Sequence, residues 1–335
     1  MRRYITYDDM KRTALFIMMS VLAMLLSVRM SAEKKNKWTA EGAAFAVPDE
    51  TCLFAVKDSA RLYLDFYKAS PGSVREIGGR MKPAVIFAFG GGFMGGHRDK
   101  PHYQQWIKLL NDEGYPVFSI DYRLGLKGVS VKGVKMIGAV RHSIQIGVED
   151  MYSATKYIID NAGRFGVEPD NLVISGSSAG AIIALQAEYD LCNAYSPSEM
   201  LPENFRYAGV ISFSGAIFST HGKVKYAESP APQLLLHGTA DRVVTYKSMR
   251  VFNLGLFGSS AISRQLARKD CPYTVVRYAG HTHDIADLMF YTVPEQIRFL
   301  EESVVKKTGR SADIIMDDPA IPVDNTLRTL GDLYK

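Results

Sequence analysis

Residues 176–180 read Gly-Ser-Ser-Ala-Gly, directly after the run Asn171-Leu172-Val173-Ile174-Ser175 and directly before Ala181-Ile182-Ile183-Ala184-Leu185. That order is strand, sharp turn, helix, and few folds accommodate it. A buried strand carries Ser178 to a tight turn where only small neighbours fit, which leaves its hydroxyl presented at the strand's end. The following helix starts beneath that hydroxyl, so its unpaired N–H groups and its dipole favour negative charge there. Alone, the five residues also describe an ordinary Gly/Ser turn. With their strand and helix they describe a nucleophile elbow.

Upstream, Lys82-Pro83-Ala84-Val85-Ile86-Phe87-Ala88-Phe89 is an apolar strand running into Gly90-Gly91-Gly92-Phe93. Three consecutive glycines cost backbone entropy, and their use is to let N–H groups approach a ligand oxygen closely. An oxyanion hole needs two such donors, here Gly91 or Gly92 from this loop and Ala179 after the serine. A phosphate-cradling loop fits less well, because neither G-x-G-x-x-G nor G-K-[ST] is present.

An acid candidate is Asp241, in the turn after the strand Gln233–His237. It can hold an imidazole in one tautomer, or cap its own turn through Val243 or Val244. The base is sought in the loop after Tyr273–Tyr278, where His281 and His283 stand two residues apart. One of them serves as general base. His237 reads as a packed structural residue. A zinc site is not expected, since only Asp284 adds a ligand near the histidine pair.

These motifs resemble the α/β-hydrolase superfamily, in the esterase/lipase branch that holds the hormone-sensitive-lipase-like and bacterial carbohydrate esterases. Its usual His-Gly-Gly-Gly-Phe is similar to Phe89 through Phe93, with Phe89 where the His would stand. Asp121-Tyr122-Arg123 and Asp150 match further family positions, and His237 through Val244 matches its His-Gly-x-x-Asp-x-x-Val. Its closing Tyr-x-Gly-x-x-His counts from Tyr278 through Gly280 to His283, with His281 as the alternative base. The resemblance covers roughly residues 50–305. It implies a Ser178, Asp241, His283 machine, an acyl-enzyme and no cofactor or metal.

Arg2, Arg3, Lys11 and Arg12 precede an apolar run from Thr13 to Val28, followed by Arg29, Ser31 and Ala32. This is the pattern of an export signal over residues 1–32, leading to the periplasm or the exterior. Sixteen residues are short for a spanning helix, and an uncleaved anchor through 13–28 is the alternative membrane association. Residues 1–32 carry five basic and two acidic residues, most of the chain's formal +5, so the remainder gives no reason to expect nucleic acid as a partner. Cys52, Cys192 and Cys271 are too few for a disulfide-built scaffold, although one bridge could form.

The 335 residues accommodate one large domain. After a linker at 33–50, residues 51–305 are expected to form an α/β domain. Its mostly parallel eight-stranded sheet, with helices on both faces, has strands near 52–56, 62–66, 84–89, 116–120, 172–175, 209–213, 233–237 and 274–278. Helices are expected around 102–112 and 148–162. Insertions near 124–145 and 189–205, with 213–223, interrupt the rhythm above the strand ends, where loops build substrate pockets. The first holds Lys127, Lys132, Lys135 and Arg141 and no acidic residue, which fits either anion steering or a solvated face. Residues 306–335 read as an extension. The expected function is a serine carboxylic-ester hydrolase acting on short acyl or feruloyl esters of carbohydrates. A lipase, a peptidase or amidase, or a non-catalytic binding protein on the same fold are the alternatives.

Overall fold

The computed structural model describes residues 44–130, 134–195 and 197–324, so the expected export signal lies outside the described residues. Its strands are β1 (Glu50–Lys57), β2 (Ala60–Tyr67), β3 (Glu76–Ile77), β4 (Arg80–Met81), β5 (Ala84–Ala88), β6 (Val117–Ile120) and β7 (Leu172–Ser177). There follow β8 (Gly209–Phe213), β9 (Ala216–Ser219), β10 (Gln233–Gly238), β11 (Ser248–Val251), β12 (Leu254–Gly258), β13 (Tyr273–Tyr278) and β14 (Ala312–Met316). One sheet has the order β1-β2-β6-β5-β7-β8-β10-β13-β14. Its first two pairings are antiparallel and all the rest parallel.

The sheet therefore has nine strands where the sequence suggests eight. The added one is β14, which pairs in parallel with β13 and comes from the expected C-terminal extension. Its residues alternate between half-buried and exposed, as an edge strand's do, and the segment around it is rich in Gly, Asp and Pro. A second sheet, β11-β12-β9, uses residues of the 213–223 insertion.

Every residue of β5, β7, β8 and β10 is buried. Such unbroken apolar strands require cover on both faces. The helices supplying it are α1 (Pro101–Asp112), α2 (Val134–Asp160), α3 (Ala162–Phe165), α4 (Ala179–Cys192), α5 (Ser259–Arg268) and α6 (Val293–Phe299). Helix α1 is tied to α6 by Trp106, whose Nε1 donates to Gln296 Oε1 at 2.8 Å, while α2 packs on α4. Helix α2 starts well before the expected position near Val148. Met136, Val140 and Ile144 are buried and carry the i, i+4 spacing back through the first insertion, whose exposed Lys127, Lys135 and Arg141 form a solvated face. Lys132 lies outside the described residues.

Helix α4 is the centre of the molecule, buried at every residue except Leu191. Its polar side chains find partners inside, apart from Glu188 Oε2. Glu188 Oε1 accepts from Ala231 N (2.7 Å) and from the Cys192 thiol (3.2 Å), and Gln186 Nε2 donates to Asp190 Oδ1 (2.8 Å). Burial pushes the Glu188 and Asp190 carboxyls up to about 7 each. The three cysteines are free thiols. Among the described residues, no helix is long and apolar enough to cross a membrane.

Candidate active site

The site forms where β5, β7, β10 and β13 end on the same edge of the sheet. Ser178 sits between β7 and α4 with φ 51° and ψ −112°, a strained backbone held by Ser178 N donating to Phe213 O (2.9 Å). The glycines of the motif have a packing reason. A Cβ on Gly176 would collide with the Gly180 backbone, and one on Gly180 would collide with Ala88 O. The elbow is thus pressed against itself and against the end of β5.

Ser178 Oγ lies 2.8 Å from His283 Nε2, and His283 Nδ1 lies 2.7 Å from Asp241 Oδ2. All three residues are buried. The structure brings His283, and not His281, to the serine. His281 Nδ1 instead pairs with Asp284 Oδ2 at 2.9 Å. Asp241 does both things the sequence suggested: Oδ1 accepts from Val243 N (2.8 Å) and Val244 N (3.0 Å), while Oδ2 faces His283. Burial alone would raise the Asp241 carboxyl, but His283 and His237 overcome it and hold it well below the usual carboxylate range. Burial likewise opposes the His283 cation, and Asp241 more than offsets it, so His283 titrates above its ordinary value.

The glycine loop lies against the nucleophile. A Cβ on Gly90 would stand 3.3 Å from Ser178 Cβ. Gly91 (φ 149°) and Gly92 (φ 60°) adopt backbone that side chains rarely take, and Gly91 O closes a tight turn by accepting from Met94 N (3.0 Å) and Gly95 N (3.2 Å). The Gly90 N–H is engaged by Tyr103 Oη at 2.9 Å. The loop's candidate oxyanion donors are therefore Gly91 and Gly92. Ala179 N–H joins them, since the first turn of a helix has no internal acceptor for its N–H groups.

The BD-FAE family model matches residues 74–217, which span the glycine loop, the elbow and β8. Solved structures supply the rest of the frame. The esterase Est2 of Thermogutta terrifontis with propionate bound has a TM-score of 0.54 at 18% identity, covering 76% of this chain and 94% of that one. The chain has the α/β-hydrolase fold. Its curated relatives lie in the esterase/lipase branch. Fumonisin B1 esterase of Sphingopyxis macrogoltabida is 29% identical over 147 residues, 44% of this chain and 24% of that protein. Secreted lipase 5 of Gibberella zeae is 29% identical over 101 residues, 29% of this chain and 18% of that protein. The chain thus matches a quarter or less of the length of each of these two relatives.

Other positions of this chain have visible tasks. Arg123 pairs with Asp150 (2.9 Å) and Glu149 (2.8 Å), fixing the turn after β6 to α2. Phe89, which replaces the branch's usual His, stacks on Tyr122 with ring centroids 4.4 Å apart. His237 is placed as the packed residue that the sequence suggests. It is fully buried and its Nε2 lies 3.0 Å from Val244 O and 3.2 Å from Asp241 Oδ2, while its Nδ1 meets Ser259 Oγ at 2.8 Å. The Tyr103 and Ser177 hydroxyls, which the sequence did not single out, join the site through long-range contacts. Among the described residues, no group of three or more His, Cys, Asp or Glu could hold a metal ion.

Proposed function

We propose that this chain is a serine carboxylic-ester hydrolase working through an acyl-enzyme. The observation that carries the reading is the continuous line from Ser178 Oγ through His283 to the buried Asp241 carboxylate. His283 Nε2 takes the Ser178 proton as Oγ attacks the ester carbonyl, and Asp241 stabilises the imidazolium formed. The N–H groups of Ala179 and of Gly91 or Gly92 hold the oxyanion. His283 then gives its proton to the leaving alcohol, and a water repeats the sequence to free the acid.

The substrate class we infer is a short acyl or feruloyl ester of a carbohydrate. Its support is the esterase names among the relatives and the short acids, propionate and butyrate, bound to the structurally similar Est2. Export through residues 1–32 is part of the same proposal, resting on the basic, apolar and small-residue order of that segment. Intact mass of the chain expressed in an exporting bacterium is expected to show loss of roughly the first 30 residues. A full-length membrane-bound chain would refute it.

The deciding experiment compares the purified wild type with Ser178→Ala on p-nitrophenyl esters of increasing acyl length, acetylated and feruloylated oligosaccharides, and a peptide anilide. The expected outcome is turnover of the short esters, lost by at least about 10³-fold in the variant, with an unchanged thermal transition. Wild-type turnover by folded Ser178→Ala would overturn the mechanism. Preference for long acyl chains or for the anilide would overturn the substrate class.

A further inference from the structure

Two buried hydroxyls tie together four parts of the site that are separate in the covalent chain. Gly90 N donates to Tyr103 Oη at 2.9 Å. The Ser177 hydroxyl meets the same glycine, its Oγ standing 2.9 Å from where a Cβ on Gly90 would lie. Ser177 Oγ in turn donates to Ala286 O at 2.7 Å. The links belong to the glycine loop, helix α1, the elbow, and the short turn His283–Ala286.

The direction of these two bonds is fixed by their ends. A backbone N–H can only donate and a carbonyl can only accept. Tyr103 therefore receives from Gly90, and Ser177 gives its only proton to Ala286, which leaves the Ser177 oxygen as an acceptor for the tyrosine proton. Neither fixed bond can be lost without leaving a buried polar group unpaired. Tyr103 and Ser177 are both buried, and burial holds the tyrosine hydroxyl far above any working pH, so it stays protonated as a donor.

A second tyrosine grips the same peptide from its other end. Tyr122 Oη donates to Phe89 O at 2.9 Å. Phe89 C=O and Gly90 N–H are the two polar groups of one planar peptide unit. That plane sets the direction in which Gly91 and Gly92 leave β5.

We propose that Tyr103 and Ser177 are positioning residues that lock the aim of the Gly91 and Gly92 N–H donors to the loop carrying His283. The proposal rests on the hydrolase reading above. Tyr103 accepts the Gly90 proton on one side and passes the constraint through Ser177 to Ala286, three residues beyond His283. The oxyanion donors and the general base thus hold one arrangement, set by a single chain of buried hydroxyls. Tyr103 suits a clean test because its ring is fixed independently, edge-on to Phe87 at 4.9 Å. Tyr103→Phe keeps that packing and removes only the hydroxyl.

The experiment is a double-mutant cycle of Tyr103→Phe and Ser177→Ala in the full chain. It reads p-nitrophenyl acetate kinetics, inhibition by a boronic acid that forms a tetrahedral adduct on the serine, and deuterium uptake of segments 86–96 and 280–288. Full loss of one oxyanion donor costs about 10²–10³ in kcat, so mis-aim of a donor is expected to cost about 10–100-fold, with KM little changed. Boronate affinity should fall in step with kcat. The double variant should lose no more than the worse single variant, because both break one chain. Tyr103→Phe should speed exchange in both segments. Near-wild-type kcat, additive losses, or faster exchange confined to 86–96 would overturn the proposal. If the wild type hydrolyses no ester, the hydrolase reading falls, and the exchange data alone decide whether the two segments are coupled.

Discussion

Asp241 divides its oxygens between a turn and a histidine, so it is structural and chemical at once. The two nearby histidines divide their work more sharply. His283→Ala is expected to lower kcat by about 10³-fold or more, because only the base facing Ser178 can take its proton. His281→Ala is expected to leave kcat within about tenfold and to lower the melting temperature, since it removes one of the partners of the buried Asp284 Oδ2 and leaves Asp324 N. Kinetics and melting curves of both variants separate these outcomes, and inactivation of a folded His281→Ala protein would reverse the assignment. The pH profile carries a sign as well. As the proposed base His283 works when neutral, and Asp241 raises it above its ordinary 6.5, so kcat/KM should climb along a limb whose midpoint lies above that value. At this scale Ser178, Asp241 and His283 were legible because each belongs to a short ordered motif at the end of an apolar strand. Tyr103 and Ser177 were not, since hydroxyls 74 positions apart in the chain leave no spacing to read.

Elements were legible where burial writes them as apolar runs, as in β5, β7, β8 and β10. The β11–β12 hairpin was hidden by its short strands, Ser248–Val251 being half exposed and Leu254–Gly258 carrying two glycines. Gly138 and Gly147 concealed the first half of α2. The ninth strand was missed for a related reason, and it leads to a contact of consequence. Beyond β14, the chain folds back so that Thr282 Oγ1 donates to Asp324 O (2.9 Å) and Asp324 N donates to Asp284 Oδ2 (3.0 Å), with Ile321 buried between. These bonds clip the loop that bears His283. A chain ending at Met316 is therefore expected to exchange amide protons faster across 281–287 and to lose about tenfold in kcat, on the scale of one misplaced catalytic group. Unchanged exchange in that segment would show the clip to be passive.

For the molecule as a whole, the informative groups are the carboxyls buried on α4. Glu188 and Asp190 titrate near 7 when folded, against 4.5 and 3.8 as free side chains. Their folded-state values are raised, so between those limits the folded chain binds more protons than the unfolded one, and stability falls as pH rises. His283 adds to the trend above 6.5. His102, lowered by burial to about 4, opposes it, but only between 4 and 6.5. The melting temperature should therefore be several degrees higher at pH 6 than at pH 8, and Glu188→Gln should flatten that slope. Equal melting temperatures across the range would contradict the assignment.

Activity and endurance consequently run in opposite directions along the pH axis. The proton that silences His283 arrives in the same acid range as those that settle the interior of α4. A stock kept mildly acidic would be dormant and long-lived, and dilution into alkaline buffer would wake it while starting its decay. The same trade would follow the protein into any habitat whose acidity drifts: it would rest safely in the sour phase and work, at some risk to itself, in the alkaline one.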